Sequence, residues 1–167
     1  MYNLTIEQVK ELAKDYSIIP LVTEVRGDMD TPISVFKRMA AEKECFLLES
    51  IGNSLVTARY SFIGRNPFLM FSGTGSDMEI RYFDGRTEKK TGRPMEELER
   101  LVNMYRAPEL ADIPSFSGGA VGFFAYDIIR QYEDLPNVNE DDLKLPDLHF
   151  MFTDEIIAFD HVNGRIA

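Results

Sequence analysis

Between Cys45 and Phe83 the hydrophobic pattern of this chain takes on the period of strands, and that change limits the folds open to it. Cys45-Phe46-Leu47-Leu48-Glu49-Ser50, Ala58-Arg59-Tyr60-Ser61-Phe62-Ile63, Phe68-Leu69-Met70-Phe71 and Met78-Glu79-Ile80-Arg81-Tyr82-Phe83 are short and aromatic or aliphatic. Each is bounded by Gly, Asn, Pro or Asp, the pattern of an antiparallel sheet. Asp84-Gly85 adds a hairpin signal. Further strands are expected over Ile18 to Arg26, with Pro20 marking an edge, over Ser117 to Tyr126, and over residues 148–153 and 155–162.

Helices flank these runs. Residues 5–16 have Thr5 as N-cap, Gln8 at the reciprocal capping position, and Ile6, Val9, Leu12 and Ala13 on one face. Thr31 followed by Pro32 opens a second helix, because proline at the first helical position loses no hydrogen bond. Ile33, Phe36, Met39 and Ala40 then recur at helical spacing. A third runs from Pro94 to Tyr105 with Met95, Leu98, Leu101, Val102 and Tyr105 as its stripe, and a short fourth covers Asp127 to Glu133. Helices alternating with antiparallel strands make an α+β fold rather than a regular βαβ series. Asn163-Gly164 predicts a two-residue hairpin turn. The sequence stops three residues later, so residues 1–167 are expected to be one truncated domain from a longer protein.

Charge narrows the function. The net charge is −10 and the pI about 4.7, which argues against nucleic acid as a partner, since such domains carry basic patches. No apolar run is long enough for a membrane span, and Met1 to Thr5 lacks the charged and apolar regions of a secretory signal. A soluble, cytoplasmic protein is expected.

Catalytic chemistry is sparse. His149 and His161 have no Cys or His neighbour at metal-ligand spacing. His149 reads as a strand residue at a sheet face, and His161 as a solvated residue beside the terminal turn. Cys45 reads as a small core residue. Gly118, Gly119 and Gly122 do not match a phosphate loop, which needs a third glycine at dinucleotide spacing or a Gly-Lys-Ser/Thr ending. They suggest a strand packed closely against another backbone. Asn139-Glu140-Asp141-Asp142, between Pro136 and Pro146, reads as a solvated loop before a metal site. No catalytic residue and no metal ligand is assigned.

Taken together, Asp30-Thr31-Pro32-Ile33-Ser34, Leu47-Leu48-Glu49-Ser50 with Arg59-Tyr60-Ser61-Phe62-Ile63-Gly64, and Phe116-Ser117-Gly118-Gly119-Ala120-Val121-Gly122-Phe123-Phe124-Ala125-Tyr126-Asp127 resemble the N-terminal domain of anthranilate synthase component I. The likeness runs on through Leu135-Pro136-Asn137 and Leu145-Pro146-Asp147 to Phe159-Asp160-His161-Val162. It implies antiparallel sheets in an orthogonal sandwich with helices on the outer faces. It also implies a lyase of tryptophan biosynthesis, converting chorismate to anthranilate and pyruvate with ammonia delivered from glutamine by a partner amidotransferase subunit. Magnesium assists in the full-length enzyme. The chorismate and magnesium residues belong to a C-terminal domain absent from this chain, so the segment alone is expected to be inactive.

By the same resemblance, Leu48, Glu49 and Ser50 line a feedback site for L-tryptophan. An amino-acid effector needs a carboxylate or carbonyls for its ammonium group, a hydroxyl or amide for its polar end, and an apolar wall. In a regular strand Leu48 and Ser50 share one face, and Glu49 joins them only through its backbone or a bend. The alternative is that Leu47 and Leu48 are core and Ser50 merely ends the strand. Some relatives carry a basic residue in a longer insertion after this element; Ile51 to Ala58 is short and has none. Competing readings are the large subunit of aminodeoxychorismate synthase, in folate synthesis, and a non-catalytic amino-acid-binding or docking module. Exposed strand edges of a half sandwich would favour a homo-oligomer.

Overall fold

The structure, a computed structural model, describes residues 2–27, 29–40, 44–50, 59–111, 113–136 and 140–167. It is α+β, with two five-stranded antiparallel sheets. The elements in order are α1 (Ile6–Leu12), β1 (Val25–Arg26), α2 (Pro32–Met39), β2 (Cys45–Glu49), β3 (Tyr60–Arg65), β4 (Leu69–Thr74), β5 (Asp77–Tyr82), β6 (Thr87–Thr91), α3 (Pro94–Met104), β7 (Gly119–Phe124), a 3-10 helix (Tyr126–Gln131), β8 (Leu148–Thr153), β9 (Glu155–Asp160) and β10 (Arg165–Ile166). The chain divides into two units. The first is Met1–Pro67, Met104–Gly119 and Thr153–Ala167, and the second is Phe68–Asn103 and Ala120–Phe152.

The first unit carries the sheet β1-β10-β9-β3-β2. Both helices that precede β2 begin with capping boxes. Thr5 caps α1 and receives Gln8 in return, and Thr31 does the same for α2 with Ser34, while Pro32 opens the helix. These caps satisfy amides that have no partner inside a helix. Neither helix has a fully buried residue, and Ile6 and Ile33 are exposed, so their apolar stripes are covered only in part. Phe46 and Ala158 are buried on one face of this sheet, with Phe116 set edge-on against Phe46 and Phe62, and Ile63 and Phe159 are buried on the other.

The second unit carries the sheet β6-β5-β4-β8-β7. Leu69, Phe71 and Gly73 of β4 stand opposite Tyr82, Ile80 and Met78 of β5, and opposite Phe152, Phe150 and Leu148 of β8. Cross-strand partners share a face, and most of these side chains are buried. The alternate residues, among them Ser72, Glu79, Arg81 and His149, make the polar face. Helix α3 starts with Pro94 above Gly73 and buries Leu98 and Leu101. Lys90 of β6 and Arg100 both bond to Glu97, and Arg100 first, then Lys90, draw its carboxyl down to about 2.

Several expectations are corrected. Of Ile18 to Arg26 only Val25–Arg26 is strand, although at the sheet's edge as Pro20 suggested. The first helix stops at Leu12, and the last long strand stops at Asp160. Residues 161–164 form a four-residue connection in which Gly164 takes φ 63° and its N–H bonds to Asp160 O, not the two-residue turn expected from Asn163-Gly164. The Asp84-Gly85 turn is present, with Gly85 at φ 86°. Ala58 and the loop from Ile51 lie outside the described residues.

Candidate effector site

Leu48 stands opposite Phe62, and Phe62 opposite Ala158, so these three share one face of the first sheet. Glu49, Ser61 and Phe159 share the other. Along the Leu48 face burial falls away toward the strand's end. Phe46 is 8% exposed, Leu48 is 42% exposed, and Ser50, just past β2, is exposed. Leu48 is therefore an apolar residue at an open rim rather than core.

The strand β2 is an outer strand of its sheet. His161 N–H donates to Arg59 O at 2.9 Å, so Arg59 directs its carbonyl toward β9. An antiparallel ladder alternates every second residue. Ser61 and Ile63 thus bond toward β9, while Tyr60, Phe62 and Gly64 bond toward β2. It follows that Leu48 bonds to β3, whereas the N–H and C=O groups of Leu47 and Glu49 point away from β3, to an edge that pairs with no strand among the described residues. Glu49 can therefore meet a ligand through its backbone, while its side chain lies on the face opposite Leu48.

Next to this rim the structure joins two motifs that are far apart in sequence. Arg59 Nη2 donates to Asp160 Oδ2 at 2.7 Å, and its guanidinium lies 4.8 Å from the centre of the Tyr60 ring. Asp160 Oδ1 also accepts from the amides of Val162 and Asn163, and Oδ2 from Asn163 Nδ2. Arg59 first, then these turn donors, hold the Asp160 carboxyl well below the usual carboxylate range. The buried Ser61 hydroxyl lies 2.8 Å from His161 Nε2. His161 is exposed as expected, yet it is tied to the sheet rather than free in solvent. Sequence reasoning singled out both motifs but not their pairing. Opposite charges in the two quoted stretches were the only signal.

The Asp160 shift has a sign that can be tested. A carboxyl whose folded value is depressed stabilises the fold above its unfolded value, about 3.9, and that contribution is lost as pH falls toward the folded value. The Arg59 side chain is 43% exposed, so solvent screens the pair and its contribution is modest. Asp160→Asn should therefore lower the urea midpoint at pH 7, and the gap from the parent chain should narrow below about pH 4. An unchanged gap would contradict the assignment.

The other candidates lie elsewhere. His149 sits in β8 opposite Ser72, stacked on Phe123, and burial followed by Arg81 lowers its pKa. Cys45 is half-buried in β2. Glu140, Asp141 and Asp142 are exposed, and among the described residues no group of three or more His, Cys, Asp or Glu is placed to hold a metal ion.

No protein-family model matches the sequence. Individual proteins do. Over 99% of its length the chain is 47% identical to anthranilate synthase component 1 of Acetivibrio thermocellus, covering 34% of that protein. It is 34% identical to the Aquifex aeolicus protein of the same name over 98% of the chain and 33% of the relative. The crystal structure of anthranilate synthase component I from Streptococcus pneumoniae matches 85% of the chain with a TM-score of 0.54 at 27% identity, over 29% of its own length. The chain thus spans about a third of the relatives it matches. From helix α1 to strand β10, over the third of those proteins that it covers, this chain belongs to the anthranilate synthase component I family.

Proposed function

We propose that this chain is the regulatory segment of an anthranilate synthase component I, and that Leu48, Glu49 and Ser50 hold L-tryptophan as feedback inhibitor. The carrying observation is the placement of these residues where β2 is both an outer strand and losing its cover. Leu48 supplies apolar surface for the indole. The outward N–H and C=O of Glu49 suit the carboxylate and ammonium of an amino acid, and the Ser50 hydroxyl can donate or accept beside them. Arg59, Asp160, Ser61 and His161 position the strand next to it rather than touching the ligand.

On this reading the whole protein converts chorismate, with ammonia drawn from glutamine by an amidotransferase subunit, into anthranilate and pyruvate in the cytoplasm. Among the described residues no three His, Cys, Asp or Glu are placed to hold a magnesium ion. Its chemistry would belong to the rest of the protein, as would chorismate binding. The folate-pathway paralogue is set apart by its product, aminodeoxychorismate.

The test is inhibition of the whole protein. Ser50→Arg places a long cation at the rim, and it should raise the tryptophan concentration for half-inhibition by about tenfold or more, equivalent to about 1.4 kcal/mol. Anthranilate formation without tryptophan should stay near the parent rate. Unchanged inhibition would remove the site from these residues, and absence of anthranilate among the products would remove the enzyme assignment.

A further inference from the structure

The Asn163-Gly164 pair is exposed on the connection between β9 and β10, and the effector site makes no use of it. Asparagine is a thermolabile residue, and a following glycine makes it more so. Glycine carries no Cβ, so its backbone nitrogen can reach the side-chain carbonyl carbon of the preceding asparagine without hindrance. That attack has two requirements. The glycine N–H must be free to lose its proton, and the asparagine side chain must be free to turn toward it.

Asp160 restrains both groups. Gly164 N–H donates to Asp160 O at 2.9 Å, so the proton of the attacking nitrogen is held. Asn163 Nδ2 donates to Asp160 Oδ2 at 2.8 Å, which fixes the side chain and, through a charge-assisted bond, leaves its carbonyl carbon less electron-poor. Asp160 Oδ1 accepts from the amides of Val162 and Asn163, and this keeps the connection closed. Just ahead of β3, Arg59 orients the carboxylate through Nε and Nη2, both of which donate to Oδ2. These donors hold the Asp160 carboxyl well below its usual range, which also makes it a poor base for the Gly164 proton. Arg59 comes from a distant part of the sequence, and with 43% of its side chain exposed it can release the carboxylate without disturbing the core.

We propose that Asn163 is a site of deamidation and that the Arg59–Asp160 pair is its gate. With the pair closed the amide persists. When the pair opens, Gly164 N attacks Asn163 Cγ, and the new C–N bond closes a succinimide ring. The side-chain nitrogen leaves as ammonia, taking up through water the proton that Gly164 loses. A water molecule then opens the ring at either carbonyl, giving aspartate or isoaspartate at position 163. The change runs one way. A carboxylate now stands where Nδ2 met Asp160 Oδ2, and two like charges so close repel each other. Neither the tryptophan site nor the chorismate reaction enters into this.

The experiment follows the whole protein in neutral buffer and needs no activity. Aspartate and isoaspartate at position 163 are measured by peptide mapping, with released ammonia as a second readout. The parent unfolded in urea sets the ungated rate, and the folded parent should be slower by about a hundredfold. Arg59→Gln should speed the folded protein by about fivefold, the shift expected on losing a part-exposed pair. The parent in about 1 M sodium chloride should also react faster, because salt screens the pair, and this arm involves no variant that could misfold. Leu101→Ala, buried in the second unit, lowers stability without touching the gate and should stay within about twofold of the parent. A folded parent as fast as the unfolded chain overturns the proposal. So does an Arg59→Gln rate equal to the parent's, or an equal acceleration by Leu101→Ala, which would make general unfolding the gate.

Discussion

Gly122→Ala, inside β7, should unfold the second sheet at a markedly lower temperature than a methyl added at one of this chain's turns. A Cβ at Gly122 would lie deep inside the His149 carbonyl oxygen and 2.7 Å from Phe150 Cα. Both obstacles are backbone, so no side-chain rotation relieves them. Either β7 moves away from β8 or β8 bends, and β8 is held on its other side by β4. Yielding therefore falls on β7, which has a neighbour on one side only. We expect a loss of about 3 kcal/mol, the upper part of the range for overpacking, and a fall in Tm of about 6–12 °C for a chain of this size. Gly85→Ala is the control. Nothing lies within 4 Å of its added Cβ, and only φ 86° opposes it, at about 1–2 kcal/mol. Thermal scans of the two variants decide the matter. A Gly122→Ala midpoint no lower than that of Gly85→Ala would show that the strands do not approach this closely.

That contact is among the features legible in the sequence, where glycines ahead of Phe123 and Phe124 indicated a strand against another backbone. The capping box at Thr5 and the N-cap at Thr31 were legible for a similar reason, since they are made within four residues, whereas the return bond from Ser34 was not read. The core strands β3, β4, β5 and β8 announce themselves by alternation, because one face is buried and the other is not. β6 was missed. Thr87-Glu88-Lys89-Lys90-Thr91 has no apolar face to bury, and it is strand only because β5 pairs with it. Its lysines suit an outer strand, where charge discourages pairing with other chains. The opposite error fell on Ile18 to Arg26. Its apolar residues resemble a strand, but only Val25 and Arg26 find a partner, in β10.

The candidate site was legible in part. Leu48, Glu49 and Ser50 were marked by resemblance, and alternation correctly separated Glu49 from Leu48. Periodicity cannot say whether a strand is central or at an edge, and that decides whether Glu49 offers its backbone outward. Nor can it bring Arg59 to Asp160 or Ser61 to His161. These contacts exist because β9 lies beside β3, a pairing set by the whole sheet rather than by either segment. The loop between β7 and β8 shows the same limit. Its prolines and carboxylates marked it as solvated, while the bonds that order it, from Arg130 to the carbonyls of Leu135 and Pro136 and from Gly75 N–H to Asp147, depend on where the strands end.

Thr153→Val should stabilise the protein. Thr153 ends β8 with 1% of its surface exposed, and its hydroxyl finds no hydrogen-bond partner among the described residues. A buried donor left unpaired keeps its full desolvation penalty, about 1–3 kcal/mol. Valine has nearly the same shape and removes the hydroxyl, so it should raise stability by about 1–2 kcal/mol and Tm by about 2–8 °C. Thr153→Ser makes the converse change, keeping the hydroxyl and deleting the methyl from a packed site, and it should lower Tm. The expected order is valine above threonine above serine. If valine falls below threonine, the hydroxyl has a partner in solution, most simply a buried water. The stabilities of the three side chains thus distinguish an isolated hydroxyl from one that holds solvent inside the first unit.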